Sequence, residues 1–108
     1  MTDPMNDDAL SITLSDDGAI VVHGDIDIAG GPVLEAAIGR PAQAFPIVID
    51  LADVFFIDSS GLRSLLSASF KAKACDSHVA LRSVGPEVAR LLEITGTTAQ
   101  FVIESSRA

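Results

Sequence analysis

Short β-rich apolar runs alternate along this chain with segments whose apolar residues repeat at helical spacing, and Gly, Pro and Asp mark the boundaries between them. That alternation forces crossovers onto a mostly parallel sheet with helices packed on it, an α/β architecture. The runs Leu10–Leu14 and Ala19–His23, separated by Ser15-Asp16-Asp17-Gly18, read as an N-terminal β-hairpin with a tight reversal. Pro32 suits the first position of a short helix to Ile38, with Gly39 as its stop. The β-branched run Ile47–Leu51 lacks strict alternation and predicts a central strand covered on both faces.

Further on, Leu62, Leu65, Leu66, Ser69 and Phe70 mark one apolar stripe of a helix from Gly61 to about Cys75, with Arg63, Ser67 and Lys71 opposite. His78–Arg82 is the next strand. Pro86 opens a third helix in which Val88, Leu91, Leu92 and Thr95 keep the helical spacing, and Gly96 ends it. Phe101–Ile103 is a last short strand, completing the order β-β-α-β-α-β-α-β.

The 108 residues, 48% of them hydrophobic, suffice for one core and leave no material for a second. The expected organisation is one domain over residues 10–104, with a disordered tail at 1–9 and a short tail at 105–108. Fifteen acidic residues against seven basic ones give a net charge of -8, which repels phosphate backbones and anionic lipid and argues against a nucleic-acid partner. The apolar runs are far too short for membrane insertion. The N-terminus has neither the basic nor the apolar region of a signal peptide, and Cys75 stands alone, so the expected location is cytoplasmic.

The most informative stretch runs from Asp50 off the central strand, through an apolar connector, to Asp58-Ser59-Ser60-Gly61-Leu62 at a helix start. Read locally, Asp58 or Ser59 is a capping residue and nothing more, since both side chains accept well from the first free N–H groups. His23 and His78 have no metal-ligand spacing around them, and no activating group accompanies Cys75. No nucleophile elbow, phosphate loop or Ser-His-Asp set surrounds the Asp58–Gly61 turn, so neither catalysis, a cofactor nor a metal is expected.

Three segments together carry a family resemblance. Asp58-Ser59-Ser60-Gly61-Leu62 resembles the D-S-[ST]-G-[LIVM] signature of STAS domains, and Gly24-Asp25-Ile26-Asp27 resembles the segment after their second strand. Gly85-Pro86-Glu87-Val88-Ala89-Arg90-Leu91-Leu92 looks like their third-helix segment, in the same order along the chain. The chain departs from the pattern at Ala29-Gly30-Gly31-Pro32, where a polar residue often stands, and the final helix of many members is reduced or absent after Glu104.

Within STAS domains the chain resembles the anti-sigma factor antagonists. It implies phosphorylation of Ser59, with Ser60 as the fallback acceptor, and a partner surface of Asp25, Asp27, Asp58, Ser59, Ser60, Gly61, Leu62 and Arg63. It further implies an anti-sigma factor serine kinase as partner of the unmodified form, a PP2C-type phosphatase that resets the switch, and a chain that is monomeric when free. Asp27 could instead only order its turn, and Arg63 either pairs with the phosphate or is merely solvated. Two other readings share the fold: an accessory subunit bound to the ATPase of a lipid-transport complex, and a fixed scaffold subunit of a stress-sensing assembly.

Overall fold

The computed structural model describes residues 10–27, 30–38 and 46–104. The expected tails at 1–9 and 105–108, the Gly39 stop and any remnant of a final helix lie outside them. A five-stranded sheet has the spatial order β1 (Ser11–Leu14), β2 (Ile20–His23), β3 (Ile47–Asp53), β4 (Val79–Arg82) and β5 (Val102–Glu104). The β1–β2 pair is antiparallel, closed by the Gly18 amide on the Ser15 carbonyl at 2.9 Å; the other three pairs are parallel. Helices α1 (Gly31–Ile38), α2 (Ser59–Ala74) and α3 (Pro86–Thr95) make the crossovers.

Chain order equals spatial order, so each crossover steps in the same direction across the sheet. Right-handed connections then put all three helices on one face. Burial agrees: Ile20, Val22, Ile47, Ile49, Leu51, Val79 and Leu81 are buried beneath the helices. On the other face the alternate residues Val21, His23, Val48, Asp50 and Arg82 are only half-buried, while the small Ala80, paired with Val48, is buried. The expectation that β3 is covered on both faces is therefore corrected. Its run of β-branched residues reflects strand propensity at Val48 as much as burial.

The open face carries polar order of its own. Arg82 donates from Nε to Asp50 at 3.0 Å and from Nη1 to Asp17 at 2.8 Å, tying β4 to β3 and to the hairpin turn. His23 bridges Thr13 (2.9 Å) and Asp53 (2.7 Å) across β1, β2 and β3.

Helix α2 begins two residues earlier than the apolar pattern predicts, because Asp58 caps it and Ser59 and Ser60 form its first turn. Its buried face is also rotated. Leu62, Leu65, Ser69 and the small residues Ser64, Ala68 and Ala72 are buried, whereas Phe70 is exposed. Small side chains on that face allow close approach to α1, whose Gly31 and Ala37 are buried in turn. In α3, Val88 and Leu92 enter the core, but Thr95 is exposed and returns its hydroxyl to the Leu91 carbonyl at 2.8 Å. Gly96 ends the helix in the left-handed conformation (φ 70°), which glycine adopts without steric cost. A 3-10 turn at Thr98–Gln100 follows, so the last strand starts at Val102 and Phe101 plugs the core beneath it.

Candidate functional site

The serine turn is held by backbone before any side chain acts. Ile26 forms an isolated parallel bridge with Ile57, donating its amide to the Phe56 carbonyl at 3.1 Å and accepting the Asp58 amide at 3.2 Å. The segment after β2 thus lies directly beside the segment that leads into α2, which sets Asp25 and Asp27 alongside the serine turn. Asp25 is exposed, and Asp27 and Asp58 are half-buried.

Asp58 has extended backbone and accepts the Gly61 amide at 2.9 Å through Oδ1, one of the N–H groups that a helix start leaves without an internal partner. The capping role is therefore Asp58's. Ser59, the first residue of the helix, is exposed, and among the described residues its hydroxyl makes no hydrogen bond. Ser60 is half-buried.

Gly61 fits because nothing larger can. A Cβ there would lie 2.1 Å from the Ile26 carbonyl oxygen. Gly61 and the next residue, Leu62, are buried, so they support the turn from beneath while Ser59 and Arg63 face solvent.

A polar cleft of about 180 Å³ lies between α1 and α2 and gathers Asp27, Glu35, Ser60, Arg63 and Ser64. Asp27 accepts the Gly30 amide on its side chain (2.9 Å) and the Gly31 amide on its carbonyl (2.8 Å), ordering the entry to α1. Ser64 is buried and donates to Glu35 at 2.9 Å, with the Ser60 carbonyl at 3.3 Å. A Cβ on Gly31 would meet that hydroxyl at 2.7 Å. Glu35 and Ser64 were not singled out from the sequence. The available signal was a serine among the small residues on the buried side of α2.

The other groups remain apart from this turn. Cys75 is exposed and closes the C-terminal end of α2, and His78 is exposed just before β4. Among the described residues no three His, Cys, Asp or Glu side chains are grouped to hold a metal ion. Asp17 has its pKa held well below the usual carboxylate range, chiefly by the Ser15 hydroxyl and then by Arg82, whose own pKa is raised by Asp17 and Asp50.

The chain and its fold are matched in known proteins. The family described as "Mlab, STAS domain" aligns with residues 11–104. The chain belongs to the STAS domain family.

An anti-sigma factor antagonist from Mycobacterium paratuberculosis is 30% identical, with a TM-score of 0.71 over 95% of this chain and 89% of that one. The phosphorylated form of the Bacillus cell-fate determinant SpoIIAA superposes at a TM-score of 0.64 with 16% identity, covering 88% and 90% of the two chains. A sulfate transporter family protein from Wolinella succinogenes gives 0.66 with 13% identity over 79% and 74%. These last two establish likeness of fold. The five-stranded sheet with its N-terminal hairpin and helices is the STAS fold expected from the sequence. The antagonists among its neighbours point to a general role in regulation by binding.

Proposed function

We propose that this STAS protein is an anti-sigma factor antagonist whose unmodified form binds an anti-sigma factor serine kinase and whose binding ends when Ser59 is phosphorylated. The exposed Ser59 hydroxyl, presented on the first turn of α2 beside Asp25, Asp27 and Asp58, carries this reading. Ser60 is the poorer acceptor, because it is half-buried at a cleft that already holds Asp27 and Glu35. A PP2C-type phosphatase would restore the hydroxyl, and the work would take place in the cytoplasm.

A phosphoryl group adds about -1.5 to -2 charges at neutral pH. On Ser59 it meets the positive end of α2 and the N–H groups that Asp58 leaves free, which favours the anion within the folded chain. For a partner the balance is opposite. A surface built for a neutral hydroxyl receives a dense negative patch with no counter-charge, and binding is lost without a change of shape. Arg63, exposed one turn along the helix, would either offset part of that charge or stay solvated.

The test is capture from native lysate on immobilised Ser59→Ala and Ser59→Asp proteins, with identification by mass spectrometry. A serine kinase of the anti-sigma type retained by Ser59→Ala and lost by Ser59→Asp supports the switch. The likeness to a transporter family protein keeps the accessory-subunit reading as the second one. A transporter ATPase retained by both variants would establish that reading instead.

A further inference from the structure

The solvent side of α3 carries a stripe that the core does not use. Glu87, Arg90, Leu91 and Ile94 recur at i, i+3, i+4 and i+7, whereas Val88 and Leu92 of the same helix are buried. Ile94 is 71% exposed, and with Leu91 it forms one wall of a groove of about 270 Å³. The other wall is Ile57 and Phe56, which is 53% exposed. Large apolar side chains left in water beside a polar rim mark interaction surfaces.

The charges at this groove define its occupant. Its lining holds one acid, Glu87, and one base, Arg90; both are exposed, and among the described residues neither takes part in an ion pair. A stripe with one charge of each sign is complementary to itself, because a twofold axis lays a patch on its own copy in reverse order. β3 and β4 are parallel neighbours, so the connector after β3 and the start of α3 after β4 stand at the same edge of the sheet. Phe56 therefore lies toward the N-terminal end of α3. Antiparallel pairing of two α3 helices sets Glu87 of each copy against Arg90 of the other and carries each Ile94 toward the other's Phe56. We infer that this groove is filled by a second copy of the chain, in a twofold dimer through α3.

Area and net charge set the strength of that dimer. Phe56 and Ile94 together expose on the order of 200 Å² per copy, a small apolar contact against the roughly 1,200 Å² that a stable interface buries. The net charge of -8 on each copy opposes approach, but physiological salt screens charges more than about 8 Å apart. The dimer is therefore weak, with a Kd on the order of 100 μM. At low micromolar concentration the chain is the monomer expected from the sequence.

Sedimentation equilibrium between about 10 μM and about 1 mM, at physiological salt, brackets that Kd. The average mass should climb from monomer toward dimer and no further. Ile94→Asp should abolish the climb. Glu87→Arg and Arg90→Glu should each weaken association about tenfold, and the double exchange should restore it. Glu87→Arg makes the chain less acidic, so general repulsion predicts tighter association from it, and paired charges predict the reverse. Phe70→Ser, which removes an exposed aromatic ring on α2, should leave association unchanged.

A mass that stays monomeric throughout would overturn the inference and leave the groove to a different protein. So would association that Glu87→Arg strengthens, that the double exchange fails to restore, or that Phe70→Ser abolishes. None of these results bears on the Ser59 switch, which capture on the Ser59 variants decides.

Discussion

The Cα of Gly61 faces the carbonyl oxygen of Ile26 so closely that a Cβ would lie 2.1 Å from it, and the same oxygen accepts the Asp58 amide at 3.2 Å. One backbone atom thus seats both the cap and the third residue of α2. Gly61→Ala must push apart two segments held backbone to backbone, with no flexible side-chain end to yield. The expected cost is about 3 kcal/mol of folding stability, at the upper end for added volume in a packed site. Urea unfolding of the variant would measure it.

Asp58→Ala removes the acceptor of the Gly61 amide and should lower stability by about 0.5–2 kcal/mol, whereas Asp58→Asn keeps an oxygen for that amide and should lose little. Equal losses in thermal unfolding would mean that the carboxylate charge matters more than the cap.

The Gly31–Ser64 contact predicts a compensated pair. Gly31→Ala brings a methyl to within 2.7 Å of the Ser64 hydroxyl, while Ser64→Ala alone gives up the bond to Glu35, worth about 1 kcal/mol. In the double variant the clashing oxygen is gone and the remaining Ser64 Cβ stands 3.8 Å away. Its loss should therefore be smaller than the sum of the two single losses.

Acid should weaken the hairpin turn before the core. The Ser15 hydroxyl, then Arg82, holds the Asp17 pKa below its unfolded value of about 3.9. A carboxylate with a depressed folded pKa contributes stability above the unfolded value and loses it as the pH falls through the folded one. Stability should therefore decline as the pH drops below about 4. Asp17→Asn should flatten that part of the profile in denaturant titrations across the acid range.

Phosphorylation of Ser59 should leave the thermal midpoint within about 3 °C of the unmodified protein, since the group meets helix N–H donors and breaks no described hydrogen bond. Calorimetry of the two forms checks this. Loss of cooperative unfolding would mean that the switch acts by disrupting the fold.

Most of the architecture was legible because Gly and Pro sit where the chain turns: Gly18 in the hairpin, Pro86 at the head of α3, Gly96 at its end. The serine turn was legible as a motif, and its neighbourhood with Asp25 and Asp27 followed from the fold. Hydrophobic spacing misread what depended on depth. Phe70 fits the α2 stripe by period but lies outside, because close packing of α1 on α2 selects Ser64, Ala68 and Ala72 for the interior. The start of α2 was missed by two residues because polar Ser59 and Ser60 extend a helix that the apolar pattern begins at Gly61. Glu35 was invisible because its partner, Ser64, is distant in sequence and reaches it only across the α1–α2 contact.

Among the described residues α1, α2 and α3 each follow a strand that runs in the same direction, so their first turns, with Asp27, Asp58 and Glu87 at or before them, share one rim of the sheet. If Ser59 carries the switch proposed above, its charge acts on that rim directly. No displacement has to travel through the packed interior, and the interior is free to be rigid. A protein arranged this way can exchange one listener for another by altering a few rim side chains, while the sheet beneath keeps the same register.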